Sequence, residues 1–129
     1  MVIDASAVLA ILFGDGGAER YSDHIEADST RLISAASVLE AAMVAGSRKG
    51  PSGERELDLL LFGAGIETIA FNQEQLKVAR RAFRTYGKGQ HPAGLNFGDC
   101  FSYALSKTAG EPLLFKGDDF AKTDVVSCL

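Results

Sequence analysis

Short apolar runs alternate along this chain with longer amphipathic stretches. Val2-Ile3 runs straight into Asp4 and reads as a buried strand. Ser6 to Phe13 has a helical pattern that stops at Gly14-Asp15-Gly16-Gly17, and Ala18 to Ala27 predicts a second helix. Arg31-Leu32-Ile33-Ser34, with its apolar centre, reads as the second strand. Ala35 to Arg48 predicts a helix closed by Gly50-Pro51, because proline lacks an amide donor and clashes with the preceding turn. Ser52 to Phe62 predicts another helix, and Ile66-Glu67-Thr68-Ile69 a strand. Asn72 can cap a helix running to Tyr86. A glycine-rich connection from Gly87 to Phe97 leads into a helix from Gly98 to Ala109, which Gly110 stops. Leu113-Leu114-Phe115 reads as a buried strand and Val125-Val126 as a last short one. Strands alternating with helices predict an α/β fold with a central, mostly parallel sheet of four or five strands flanked by helices. Functional sites in such sheets form beyond the carboxyl ends of the strands.

Within the helix ending at Tyr86, Leu76, Ala79, Phe83 and Tyr86 recur at three- and four-residue spacing and are expected to face the core. Lys77, Arg80, Arg81, Arg84 and Lys88 fall on an adjoining face. These are five of the chain's 13 lysines and arginines, and no acid interrupts Gln75 to Gly98. The stripe is equally readable as a solvated helix face or as a surface for RNA phosphates. It tempers the formal net charge of −4, which taken alone counts against a nucleic-acid partner.

The 129 residues, 47% hydrophobic, suit one domain over residues 1–129 and exclude a disordered chain. No apolar run is long enough to span a bilayer, and no secretory leader is visible at Met1. Cys100 and Cys128 match no zinc or redox spacing, so a cytoplasmic protein with reduced thiols is expected. Leu57, Leu60, Leu61 and Phe62 suit a core or an interface equally.

The acids carry the candidate chemistry. Asp4 follows one strand directly, and Asp118 and Asp119 follow another after two residues. Asp99 opens a helix, and Glu40 lies in the first two turns of the helix after the second strand. Each has an ordinary structural role open to it. Asp4 and Asp99 can cap or complement helix starts, Glu40 can form a capping box with Ser37, and Asp118-Asp119 can be a turn. Together, however, they fall on one edge of the predicted sheet. Unscreened like charges about 4 Å apart repel by roughly 4 kcal/mol at an effective dielectric near 20. A hard divalent cation removes that repulsion, and oxygen-only ligands select Mg²⁺ or Mn²⁺.

Four segments resemble the PIN-domain nucleases, and more narrowly the VapC toxins of type II toxin–antitoxin pairs. They are Met1-Val2-Ile3-Asp4-Ala5-Ser6-Ala7, Ser34-Ala35-Ala36-Ser37-Val38-Leu39-Glu40, Leu95-Asn96-Phe97-Gly98-Asp99-Cys100-Phe101 and Leu113-Leu114-Phe115-Lys116-Gly117-Asp118-Asp119-Phe120. The resemblance implies a PIN-like fold and hydrolysis of RNA phosphodiesters with Mg²⁺ or Mn²⁺. By the same resemblance Asp4 and Asp99 are direct ligands, while Glu40 and a fourth aspartate hold waters or a second ion. Asp118, nearer the strand end, is favoured for that position and Asp119 is kept. Ser6 is expected to orient Asp4. Ser102, on Asp99's helix face, is a candidate to line the site, with a solvent-facing serine equally open. The implied partners are RNA, a VapB-like antitoxin and a second copy of the chain.

Other readings are weaker. Gly14-Asp15-Gly16-Gly17 follows a helix rather than a strand and lacks the phosphate-loop pattern. A phosphatase using Asp4 as nucleophile is expected to carry a second aspartate at position 6, where Ser6 stands. A PIN-like protein that binds RNA without cutting it is expected to lack an acid, and all are present. His24 and His91 read as surface or loop residues.

Overall fold

The structure, a computed structural model, describes residues 1–129. Four short strands form one parallel sheet: β1 (Val2–Ile3), β2 (Leu32–Ser34), β3 (Glu67–Ile69) and β4 (Leu113–Leu114), in the spatial order β3-β2-β1-β4. Val2 pairs with Leu32 on one side and Leu113 on the other. The chain steps outward from β1 through β2 to β3, then returns to lay β4 on the opposite side of β1. The strand order therefore reverses between β1 and β4, and a crevice opens at their carboxyl ends.

Five helices cover the sheet: α1 (Ala5–Leu12), α2 (Ala18–Ala27), α3 (Ala35–Gly63), α4 (Gln73–Tyr86) and α5 (Phe97–Ala109). Side-chain alternation along the strands divides the core between the two faces. Ile3, Ile33 and Leu114 pack with Val8, Ile25, Leu57 and Leu61 from α1, α2 and α3. Val2 and Leu113 point the other way, among Ala82, Leu95, Tyr103 and Leu105. Leu57 and Leu61 are thus core residues, whereas Phe62 is exposed.

The expected break in the helix after β2 is present. Gly50 takes φ 63° and ψ −152°, and Pro51 opens the second half of α3. Gly53 then packs so closely on Ala45 that a Cβ there would overlap the Ala45 carbonyl, so the two halves fold back on each other. Val125-Val126 does not form a strand. A single parallel bridge joins Leu113 to Ser127, made by the Leu113 amide on the Val126 carbonyl and the Cys128 amide on the Leu113 carbonyl.

The amphipathic reading of α4 also needs correcting. Leu76 and Phe83 are 44% and 39% exposed, and the buried side is Gln75, Ala79 and Ala82. The cause lies in the partner helix. Ala79 packs on Cys100 and Ala104 of α5, and small residues on both sides let the two backbones approach closely. Ala79 is therefore inside as the spacing predicts, and Tyr86 also packs against the core, but Gln75 and Ala82 rather than Leu76 and Phe83 complete the buried side.

At the amino ends of the strands the charges are matched. The Met1 ammonium donates to Asp28 at 2.8 Å, to Glu111 at 3.0 Å and to the Thr30 carbonyl at 2.6 Å. No helix is long and apolar enough to cross a membrane.

Candidate active site

Asp4 stands where β1 ends, and its geometry follows from its place as N-cap of α1. Its Oδ2 accepts from the Ser6 amide at 3.0 Å. Its Oδ1 accepts from the Ser102 hydroxyl of α5 at 2.5 Å, and the Ser102 oxygen lies 3.2 Å from that of Ser37 on α3. The carboxylate is only 5% exposed, and Ser37 and Ser102 are buried outright. Ser102 therefore touches the site rather than solvent. Ser6 serves Asp4 through its backbone; its hydroxyl instead accepts from the Lys116 amide at 2.9 Å, tying the loop after β4 to the start of α1.

Asp99 is held by a reciprocal cap at the start of α5. Asn96 Oδ1 accepts from the Asp99 amide at 2.9 Å, and Asp99 Oδ2 accepts from the Asn96 amide at 3.0 Å. The helix-start role open to Asp99 is thus real, and it coexists with a place in the crevice. Burial first, then the nearby Asp119 and Asp4 carboxylates, push Asp99 up to about 7, against the lowering pull of the Asn96 amide.

At the fourth position, the Asp119 carboxylate is close enough to Asp99 to raise it, which supports the aspartate kept beside Asp118. Gly117 takes φ 99° between β4 and the aspartates, and the chain turns there before Phe120 enters the core. Distance from the strand end, which favoured Asp118, ignores that turn.

Glu40 comes from the first half of α3. Its carboxylate lies directly over Gly98 of α5, where an added Cβ would overlap it. Burial and then the Asp4 charge push Glu40 upward. Ser37 does not form a capping box with it, because the N-cap of α3 is Ser34, whose hydroxyl accepts from the Ala36 amide. Beside Glu40 runs an apolar groove lined by Leu39, Met43, Phe97 and Phe101, with Phe97 81% exposed.

Asp4, Glu40, Asp99 and Asp119 thus border one crevice, and none of them is ion-paired with a lysine, arginine or histidine. As the side chains lie, no three of these acids stand close enough together to hold a metal ion. Fitness for Mg²⁺ or Mn²⁺ therefore rests on the chemistry of the donors, not on a preformed shell. Mg²⁺ characteristically keeps several waters and takes only one or two carboxylates plus substrate phosphates. An all-oxygen, uncompensated donor set fits such an ion and offers nothing to a metal that prefers nitrogen or sulfur.

The remaining candidates lie outside the crevice contacts. Lys77, Arg80, Arg81, Arg84 and Lys88 are all exposed, and none is ion-paired. His91 has a local role: its Nδ1 accepts from the Ala93 amide at 3.0 Å, and its ring meets Tyr86 edge-on. His24 stays half-buried on α2. Sequence reading missed Gly98 as the seat of Glu40 and Ser37 as a neighbour of Ser102. Gly98 carried a faint signal, as a glycine one residue before an acid inside a helix. Ser37 and Ser102 are 65 positions apart, and only tertiary packing joins them.

The family model for the PIN domain matches residues 1–126. The chain is 54% identical to VapC ribonuclease Mb0640 of Mycobacterium bovis over 127 residues, covering 98% of this chain and 97% of that one. The chain belongs to the VapC branch of the PIN-domain family. A ribonuclease VapC of Mycolicibacterium smegmatis is 52% identical, with 98% of each chain covered. Among solved structures, VapC20 of Mycobacterium tuberculosis, described as a sarcin–ricin loop cleaving toxin, superposes with a TM-score of 0.78. That match covers 97% of this chain and 95% of the other at 13% identity, and it speaks to the shared VapC fold alone.

Proposed function

We propose that this VapC-family chain is the toxin of a type II toxin–antitoxin pair and a Mg²⁺- or Mn²⁺-dependent endoribonuclease. The observation that carries the proposal is the set of acids at the β1–β4 switch point, brought together from four elements and left without any cationic partner. Asp4 and Asp99, the buried pair, are the residues to hold a metal ion directly. Glu40 and Asp119, more exposed, are placed to orient water molecules, and either can accept a proton from an attacking water. When bound, a divalent cation would lower the pKa of water and neutralise charge on the phosphoryl oxygens. The exposed cations of α4 supply sequence-independent attraction for the RNA backbone.

A phosphatase that forms a phospho-aspartate at Asp4 is disfavoured, because Ser6 stands where such an enzyme is expected to carry its second aspartate. The same proposal includes a VapB-like antitoxin and a homodimer, and places the protein in the cytoplasm. Purified protein is expected to cut total RNA at internal sites, to stop in EDTA and to resume with Mg²⁺ or Mn²⁺. Cleavage that persists in EDTA would sink the metal reading. RNA binding without cleavage at any metal concentration would favour a non-catalytic role. Co-expression with a VapB-like antitoxin, followed by light scattering on the purified complex, tests both partners.

A further inference from the structure

The hydroxyls joining Asp4 to Ser37 have a direction. Ser102 has one proton, and its short 2.5 Å contact with a carboxylate oxygen that can only accept commits that proton to Asp4. The 3.2 Å contact between Ser37 and Ser102 then has one possible donor, the Ser37 hydroxyl. The chain therefore runs one way, from Ser37 through Ser102 to Asp4, across α3, α5 and the end of β1. Both serines are buried beyond the reach of solvent, so no bulk water substitutes for either link. Donors aligned in series polarise one another, which strengthens the terminal bond to the carboxylate.

We infer that Ser37 is a positioning residue of this site, acting on Asp4 only through Ser102. The pair fixes the rotation of the Asp4 carboxylate. Oδ1 is held from the α5 side and Oδ2 by the Ser6 amide, so the remaining lone pairs are aimed into the crevice before any ion arrives. This inference rests on the metal-site reading and concerns how tightly that site is pre-set. It also makes the first two turns of α3 a double contributor, since they supply Glu40 to the crevice and Ser37 to its support.

Mn²⁺ binding followed by electron paramagnetic resonance tests it, with RNA cleavage as a parallel readout. Wild-type protein is expected to bind Mn²⁺ and Asp4→Asn to lose it; if wild type takes up none, the metal reading fails and this inference with it. Given binding by wild type, Ser102→Ala should weaken Mn²⁺ affinity by about 10- to 100-fold, the range typical of residues that support metal ligands. Ser37→Ala should weaken it by about 3- to 10-fold, lowering kcat while leaving KM for RNA nearly unchanged. Ser37→Cys, which keeps a weak donor of similar volume, should recover part of the loss. The double variant Ser37→Ala/Ser102→Ala should bind no more weakly than Ser102→Ala alone. Additive losses in the double variant would overturn the series arrangement. So would Mn²⁺ affinity unchanged in both Ser37 variants, with folding verified by circular dichroism.

Discussion

Both edges of the parallel sheet carry acids, and the two edges treat them in opposite ways. At the amino edge, Asp28 and Glu111 close on the Met1 ammonium at 2.8 and 3.0 Å. The hydrogen bond to that ammonium, above all, holds the Asp28 carboxyl below its ordinary range. Burial works to lower the ammonium's own pKa, but the bonds from Asp28 and Glu111 prevail and raise it. At the carboxyl edge, Asp4, Glu40, Asp99 and Asp119 meet no cation, and Asp99 is pushed up to about 7. Charge at one edge contributes to folding; at the other it is tolerated against folding. A small domain has only about 5–15 kcal/mol of net stability, so a cluster of that kind indicates chemistry.

The contrast is easiest to break by deleting single charges. Asp4→Asn and Asp99→Asn should each cut RNA cleavage by about 100-fold or more, beyond what supporting residues typically contribute. Asp28→Asn should leave cleavage within about twofold and lower the unfolding midpoint instead, by a loss of roughly 1 kcal/mol. Initial rates on one RNA and urea melts of the same preparations check both halves. If Asp28→Asn abolishes cleavage, or Asp99→Asn leaves it intact, the division between the edges is wrong.

Next in size is the choice between neighbouring aspartates. Asp119→Asn should lower cleavage by about 10- to 100-fold, while Asp118→Asn should change it by no more than about twofold. Equal effects would show that the turn at Gly117 does not select between them.

The response to pH should separate the edges without any substrate. In EDTA, the raised Asp99 makes the folded state bind more protons than the unfolded state between about pH 4 and 7, so its contribution to stability falls across that window. The lowered Asp28 works in reverse. Its contribution is present above the ordinary carboxyl range and disappears as the pH falls through its depressed value. The raised Met1 ammonium contributes fully below about pH 8, its ordinary range, and loses that contribution as pH climbs past its folded value. Asp99→Asn should therefore match wild type near pH 4 and exceed it by on the order of 2 kcal/mol near pH 8, and Mg²⁺ should narrow the gap. Urea melts at four pH values are sufficient. A constant difference across the range would remove the link between Asp99 burial and stability.

The smallest expected effect sharpens the comparison most. Gly98→Ala adds a better helix former to α5, a gain of about 0.5–1 kcal/mol by propensity, and its methyl must displace the Glu40 carboxylate. Thermal stability should hold or rise slightly while cleavage falls by about tenfold. Unchanged cleavage would show that Glu40 has room to move without consequence.

Much of this was readable from local pattern. Four of the five strands, the cap at Asn72 and the break at Gly50-Pro51 depend on residues within a turn of each other and appear where the pattern puts them, whereas Val125-Val126 forms no strand. Asp4, Glu40 and Asp99 were legible because each sits just past a strand or near a helix start. What was not legible depends on distant contacts. The exposure of Leu76 and Phe83 on α4 is decided by the close packing of Ala79 on Ala104 and Cys100 of another helix. The preference for Asp119 is decided by the positive φ at Gly117 and the anchoring of Phe120. The link from Ser37 to Ser102 has no local signature at all.

The reciprocal cap between Asn96 and Asp99 has a practical consequence for anyone who needs a silent version of this protein. One carboxylate serves as both the first stitch of a helix and a wall of the crevice, with Oδ2 committed to the Asn96 amide. Truncating it to alanine confounds two losses, since the bond to the Asn96 amide goes along with the chemistry. Replacing it with asparagine removes the charge and keeps an oxygen for the amide. For crystallising a substrate complex, or raising an inactive partner for antitoxin capture, Asp99→Asn is the cleaner blank, and Asp99→Ala the one to avoid.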